Sequence, residues 1–232
     1  TPCTSSAASD VYKRQPLYED PGETWRYGWS TDLLARIVEV VSGATFDVYL
    51  ENEIFKPLGM LNTNFLSMET NQKSIAEVYS KENGNLVHIV EPRSNPLDWT
   101  PGSSGLVSSA PDYMRFALML WNQGTYNGIK ILSPESIGLM TQTHVKEGVL
   151  VGQVEGVGFG LGVGVVIDSE KSVSVDRDGD FWWSGFYGTH FFVSPQTNLV
   201  GVIMTQNQPA KGSSFPGSYG VYIAPIFGFW GI

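Results

Sequence analysis

Gly158-Phe159-Gly160-Leu161-Gly162-Val163-Gly164-Val165 is the stretch on which the reading of the fold turns. Large apolar side chains alternate with glycine at a period of two. That describes a strand with bulky residues on one face and bare backbone on the other, against which a helix can pack closely. It is no phosphate loop, because a glycine-rich phosphate cradle lies between a strand and a helix N-terminus. Toward the C-terminus the period continues. Phe181 to Val193 and Leu199 to Thr205 read as two further strands joined by the turn Ser194-Pro195-Gln196-Thr197-Asn198, which predicts a three-stranded antiparallel meander. Asp176-Arg177-Asp178-Gly179-Asp180 reads as a hairpin turn. Counted as a calcium loop from Asp176, its sixth position is Phe181 where Gly is needed and its twelfth is Tyr187 where a bidentate Glu is needed.

Toward the N-terminus the period changes to that of helices. Ser109, Pro111 and Asp112 form a capping signature, after which Tyr113, Phe116, Ala117, Leu120 and Trp121 share one face until Asn122-Gln123-Gly124 stops the helix. Ser133-Pro134 opens a shorter helix to about Thr141. Ser30 or Thr31 can cap a helix in which Leu33, Leu34, Ile37, Val38 and Val41 recur, read as its buried face, with Gly43 ending it. Thr45 can cap another, with Phe46, Tyr49 and Leu50 on one side, until Pro57-Leu58-Gly59 breaks it. Helices first and strands last predict an α+β fold, with a mainly helical lobe over 16–148 and an antiparallel sheet lobe over 149–232. Residues 1–15 lack apolar periodicity and read as an extraneous or disordered segment.

The chain has 232 residues, 42% hydrophobic and 16% charged, which excludes a disordered or coiled-coil protein. Its net charge of −9 offers no basic field for a nucleic acid backbone, so no nucleic-acid partner is expected. The charge is uneven: after Phe181 the only charged side chain is Lys211, so the last 52 residues read as largely interior. Their apolar runs are too short and too interrupted to span a bilayer. One cysteine, Cys3, and three scattered histidines, His88, His144 and His190, give no metal-ligand spacing, so no metal is expected. Each histidine reads as an ordinary hydrogen-bonded or surface residue.

Four blocks remain. Pro21-Gly22-Glu23-Thr24-Trp25-Arg26-Tyr27-Gly28-Trp29-Ser30 precedes the Leu33 to Gly43 helix and Ile54-Phe55-Lys56-Pro57-Leu58-Gly59-Met60. Further on come Gly105-Leu106-Val107-Ser108-Ser109-Ala110-Pro111-Asp112-Tyr113 and then Trp183-Ser184-Gly185. In this order they resemble the serine beta-lactamase-related family, which includes class C beta-lactamases, family VIII carboxylesterases and penicillin-binding D-aminopeptidases or carboxypeptidases. The likeness runs over about residues 16–232 and implies a beta-lactamase/transpeptidase-like fold.

The family's chemistry needs a Ser-x-x-Lys motif, in which the lysine, one helical turn from the serine, helps deprotonate it for acyl transfer. None of the chain's lysines has a serine three positions before it. In relatives that motif lies upstream of the tyrosine, so the likeness reads as the C-terminal portion of the fold. By resemblance, Tyr27 matches the tyrosine that exchanges a proton with nucleophile and leaving group, and Phe186 the residue whose backbone N–H lines the oxyanion hole. Trp29 stands where the family often has asparagine, and Trp183, followed by Ser184 and Gly185, where lactamases place a lysine for the substrate carboxylate. With these two tryptophans, Ser184 and Gly185 as substrate contacts, the resemblance implies a serine hydrolase acting on esters through an acyl-serine intermediate, with no cofactor. A beta-lactamase or D-amino-acid peptidase of the same family, or a non-catalytic relative binding a ligand or a peptidoglycan fragment, stands as the alternative. In every case the expected partner is a small molecule.

Overall fold

The computed structural model describes residues 16–65, 75–82, 85–89, 99–152, 154–172 and 176–208. The expectations for residues 1–15 and for the segment after 208 lie outside them. Helix α1, Ser30–Ser42, starts one residue earlier than its sequence signals, with Trp29 in the cap position and no side-chain cap bond. It ends as expected at Gly43, whose φ of 74° is the left-handed conformation glycine adopts without strain.

The apolar stripe of α1 is less buried than expected, with only Leu33 and Val38 of it half-buried. Asp32 and Ala35 point inward, while Leu34, Ile37 and Val41 are 58%, 54% and 82% exposed. Close backbone contact explains the turn: a Cβ on Gly102 would lie 2.2 Å from the Thr31 carbonyl oxygen and 2.9 Å from the Ala35 methyl. The Asp32 carboxylate also accepts the Ser103 N–H at 2.9 Å. Only a small, polar helix face fits against this segment.

Helix α2, Phe46–Leu50, runs into a π turn over Glu51–Phe55 and then α3, Lys56–Leu58, so Pro57 does not break the helix. The proline sits inside a last short turn that ends at Gly59, φ 69°. Short strands β1, Asn64–Phe65, β2, Val78–Glu82, β3, Asn85–Ile89, and β4, Leu106–Val107, follow, β1 pairing with β4 and β2 with β3.

Helix α4, Ala110–Trp121, forms where the capping signature placed it, with Ser109 Oγ accepting from the Asp112 N–H at 3.4 Å. A small hairpin of β5, Thr125–Tyr126, and β6, Ile129–Lys130, leads to α5, Pro134–Met140, capped by Ser133.

The main sheet has five strands: β7, Val157–Phe159, β8, Gly164–Val166, β9, Phe181–Ser184, β10, His190–Ser194, and β11, Leu199–Ile203. All neighbours are antiparallel, in the order β11-β10-β9-β8-β7. The glycine-alternating stretch is therefore a hairpin rather than one strand, because Gly162 adopts a φ of 95° and turns the chain back. The hairpin also divides the expected bare face, since Gly164 pairs with Phe159 and Gly162 has nothing near it; only the β7 side is closely covered, where a Cβ on Gly160 would lie 1.9 Å from the Met140 carbonyl at the end of α5. Phe181 to Val193 likewise divides at Gly185–Thr189 into β9 and β10. Strand β12, Asn207–Gln208, runs parallel to β2.

One face of the sheet packs on α4. Phe181, Phe191 and Val193 join Ala117, Met119 and Leu120 in the buried core, and the Tyr113 ring lies 5.4 Å from that of Phe191. Burial pushes the Tyr113 phenol up to about 12. No helix among the described residues is long and apolar enough to cross a membrane.

Candidate active site

Strand β9 carries the candidate site residues Trp183 and Ser184. Its pairing with β8 ends at Trp182, which faces Gly164, so Trp183 and Ser184 run past β8 with one edge unpaired among the described residues. Side chains alternate along the strand, placing Trp183 on the face that packs on α4 and Ser184 on the other. A ligand lying along the open edge can touch both.

The loop before α1 closes over the Trp183 side. The Tyr27 ring stacks on the Trp183 indole, centroids 6.2 Å apart and planes at 21°. Trp25 reaches deeper, 5.2 Å from Phe159 and 6.3 Å from Trp183, while Phe159 meets Trp183 edge-on at 5.0 Å. These four rings join the first sequence block to the last, 155 or more residues away in the chain. The loop is held by polar contacts as well. Arg26 pairs with Glu19 while lying over the Tyr18 ring, and the Thr24 hydroxyl donates to the same carboxylate at 2.7 Å. The Arg26 bond holds the Glu19 carboxyl below its ordinary range. Glu23 pairs with Lys146 at 3.0 Å, tying the loop to the segment after α5.

The predicted site residues are not all equally placed. Tyr27 and Trp183 are in contact, and Tyr27 keeps 55% of its surface exposed. Trp29 stands apart, 63% exposed and, among the described residues, outside the ring cluster. Gly185 ends the strand in a turn where its N–H donates to the Thr189 carbonyl at 2.8 Å, and a Cβ there would lie 2.2 Å from Thr189 Oγ1. Phe186 is exposed in the same turn, its ring 5.1 Å from Tyr187.

Three residues of this region escaped the sequence reading. Trp25 and Phe159 complete the aromatic wall, and His190 places Nδ1 2.8 Å from Ser184 Oγ. The signal for His190 was the short loop: the two residues flanking Gly185–Thr189 face each other in the hairpin. Burial pushes the His190 imidazole down to about 4. Among the described residues no three His, Cys, Asp or Glu side chains cluster to hold a metal.

A helical layer over one face of an antiparallel sheet, with a tyrosine loop against the open end of a strand bearing Trp-Ser-Gly, matches what the resemblance implied for the fold. The Beta-lactamase family model matches residues 4–218. The chain belongs to that family. Protein Rv1367c of Mycobacterium tuberculosis H37Rv is 32% identical over 84% of this chain and 51% of its own length. Among solved structures, EstCE1, a hydrolase with promiscuous acyltransferase activity, aligns over 88% of this chain and 57% of its own with a TM-score of 0.77 at 24% identity. A penicillin binding protein from Bacillus halodurans covers 95% of this chain and 61% of its own with a TM-score of 0.68 at 18% identity. At these identities the two structures show the fold. The chain spans about half the length of the curated relatives it matches.

Proposed function

We propose that this chain is the C-terminal part of a serine hydrolase that cleaves carboxylic esters through an acyl-serine intermediate, with the nucleophile and its lysine carried by a preceding part. The observation that carries the reading is the stack of Tyr27 on Trp183 at the open edge of β9. It puts a phenolic hydroxyl-bearing ring beside a wall of neutral aromatics. In this reading the serine oxygen adds to the ester carbonyl along β9, and the serine's own N–H and that of Phe186 hold the oxyanion. The proton lost by the serine reaches the departing alkoxide by way of the Tyr27 phenol, so the alcohol leaves neutral. Water then adds to the acyl-serine, releasing the acid and restoring the serine hydroxyl. An indole at Trp183 offers apolar area and one N–H but no positive charge, which favours neutral esters over carboxylate-bearing lactams.

The test compares this chain with the same chain extended upstream through a Ser-x-x-Lys segment, using p-nitrophenyl butyrate and nitrocefin. The chain alone should match buffer with both, and the extended protein should cleave the ester more efficiently. Greater efficiency on nitrocefin overturns the ester assignment. An extended protein silent toward both, yet binding either, supports the ligand-binding relative instead.

A further inference from the structure

We propose that His190 is a positioning residue for Ser184: its Nδ1 accepts the hydrogen bond donated by the Ser184 hydroxyl, so that Ser184 Oγ meets a ligand on the open edge of β9 as a hydrogen-bond acceptor, and the site selects neutral or donor-bearing groups over carboxylates. The inference rests on the ester-hydrolase reading for its substrate and on geometry for its direction. Ser184 and His190 are facing residues of β9 and β10, on the same side of the sheet, with Oγ and Nδ1 2.8 Å apart. A hydroxyl has one proton. If it is given to Nδ1, only lone pairs remain for the ligand, and a carboxylate placed there meets repulsion instead of a donor.

Which partner donates depends on the imidazole tautomer, and the surroundings favour an unprotonated Nδ1. The residue facing His190 from β11 is Ile203, and Trp182 and Phe192 lie 5.7 Å and 6.3 Å from its ring, so no carboxylate among these neighbours stabilises a second proton. Burial keeps the ring neutral at the pH of any ester assay. In a neutral imidazole one nitrogen is donor and the other acceptor, and the Nε2–H form, the more stable one for free histidine, leaves Nδ1 as acceptor. Ser184 is half-buried. Its hydroxyl therefore gains more from a fixed partner than an exposed one would.

The first test reads the unmodified chain. With 15N-histidine labelling, and His190 assigned by the signal lost in His190→Gln, Nδ1 should resonate as an unprotonated, pyridine-type nitrogen and Nε2 as a protonated, pyrrole-type one at pH 6. The reverse pattern, or a doubly protonated ring at that pH, overturns the inference. The second test uses the extended enzyme and two p-nitrophenyl esters, the butyrate and the hemisuccinate, which differ by a terminal carboxylate. His190→Leu frees the Ser184 hydroxyl to donate, so kcat/KM for the hemisuccinate should rise about tenfold relative to the butyrate, the scale of one hydrogen bond to a charged group. His190→Leu combined with Ser184→Ala should show no such gain. Equal losses on both esters would mean a purely structural pair and overturn the proposal. An extended enzyme that cleaves neither ester defeats the ester-hydrolase reading, while the nitrogen spectra still decide the direction of the Ser184–His190 bond.

Discussion

Replacing Asp112 with alanine should cost this chain a large part of its stability. The carboxylate is 1% exposed and stands in the first turn of α4. One oxygen accepts the Asn62 backbone N–H at 2.6 Å and the buried Thr63 hydroxyl at 3.1 Å, and the other pairs with Arg115 at 2.8 Å. Alanine leaves both donors without this acceptor, at about 1–3 kcal/mol for each one left unsatisfied. Thr63 retains its contact with Ser108 Oγ at 2.7 Å, so its share falls at the low end. Arg115 also retains the Gly59 carbonyl at 2.6 Å and reaches solvent, so the broken ion pair adds little beyond the helix-terminus term of about 0.3–1 kcal/mol. The expected loss is about 3–4 kcal/mol, a large fraction of the ~5–15 kcal/mol typical of a folded domain. Urea unfolding followed by tryptophan fluorescence should show a lower midpoint at unchanged slope. Asp112→Asn, which keeps one acceptor oxygen, should lose roughly half as much. An alanine variant within ~1 kcal/mol of the parent would refute the reasoning and mean that water replaces the carboxylate at no cost.

Gly102→Ala should destabilise by about 1–3 kcal/mol, because the new methyl meets the Thr31 backbone carbonyl, which cannot rotate away; a neutral effect in the same urea assay would count against the packing of α1 described above. For His190 the pH dependence follows from a folded value of about 4 below the ordinary histidine value of 6.5. Between these values the unfolded chain binds a proton that the folded chain refuses, so stability falls by about 3 kcal/mol as the pH drops from 6.5 to 4, and His190→Gln should remove that component from the stability–pH curve. In the extended enzyme, Trp183→Lys should shift kcat/KM from p-nitrophenyl butyrate toward nitrocefin by about one to two decades, the scale of a charge-assisted bond to the lactam carboxylate, and no shift would mean that Trp183 serves the core alone.

What the sequence disclosed, and what it withheld, divides by the range of the interaction. Helices α4 and α5 were legible because their signals are local: Ser109 and Ser133 cap within one turn, and Gly124 at φ 90° stops the first of them. The two added turns of the sheet were missed because alternation survives a tight hairpin. In the sequence the large-small alternation runs on through Gly162, but the turn there pairs Phe159 with Gly164 and so exchanges the faces of the two strands, and only the positive φ, invisible in the pattern, separates one strand from two. That Tyr27 and Trp183 come together was legible as blocks, since both were named from motif order, but the other side chains of the candidate site were legible only in part. Trp25, Phe159 and His190 lie in ordinary apolar or polar positions, and what gives them a place in the site is the register that sets β9 against β10 and the loop that lays Trp25 on Phe159.

Helix α1 shows the same limit at its sharpest. Its periodicity is that of a buried amphipathic helix, yet the apolar stripe of Leu34, Ile37 and Val41 points away from the described body of the protein. Periodicity states that a helix has two faces; it does not state which face meets a given neighbour. That choice was made by three residues outside the helix. Gly102 lets the Thr31 carbonyl approach, Ser103 takes the Asp32 carboxylate, and the Phe46 N–H donates to Glu39 at 3.1 Å from the following helix. Each contact draws the polar side of α1 inward, and together they fix the rotation of the helix that begins three residues after Tyr27. Because α1 follows directly on the Tyr27 loop, Gly102→Ala, if it rotates α1 rather than merely loosening it, should also disturb the Tyr27–Trp183 stack. A near-ultraviolet circular dichroism change that tracks the loss of stability across Gly102 variants would show the two coupled, and an unchanged aromatic spectrum in a destabilised variant would show that Trp25, packed on Phe159, holds the loop without help from α1.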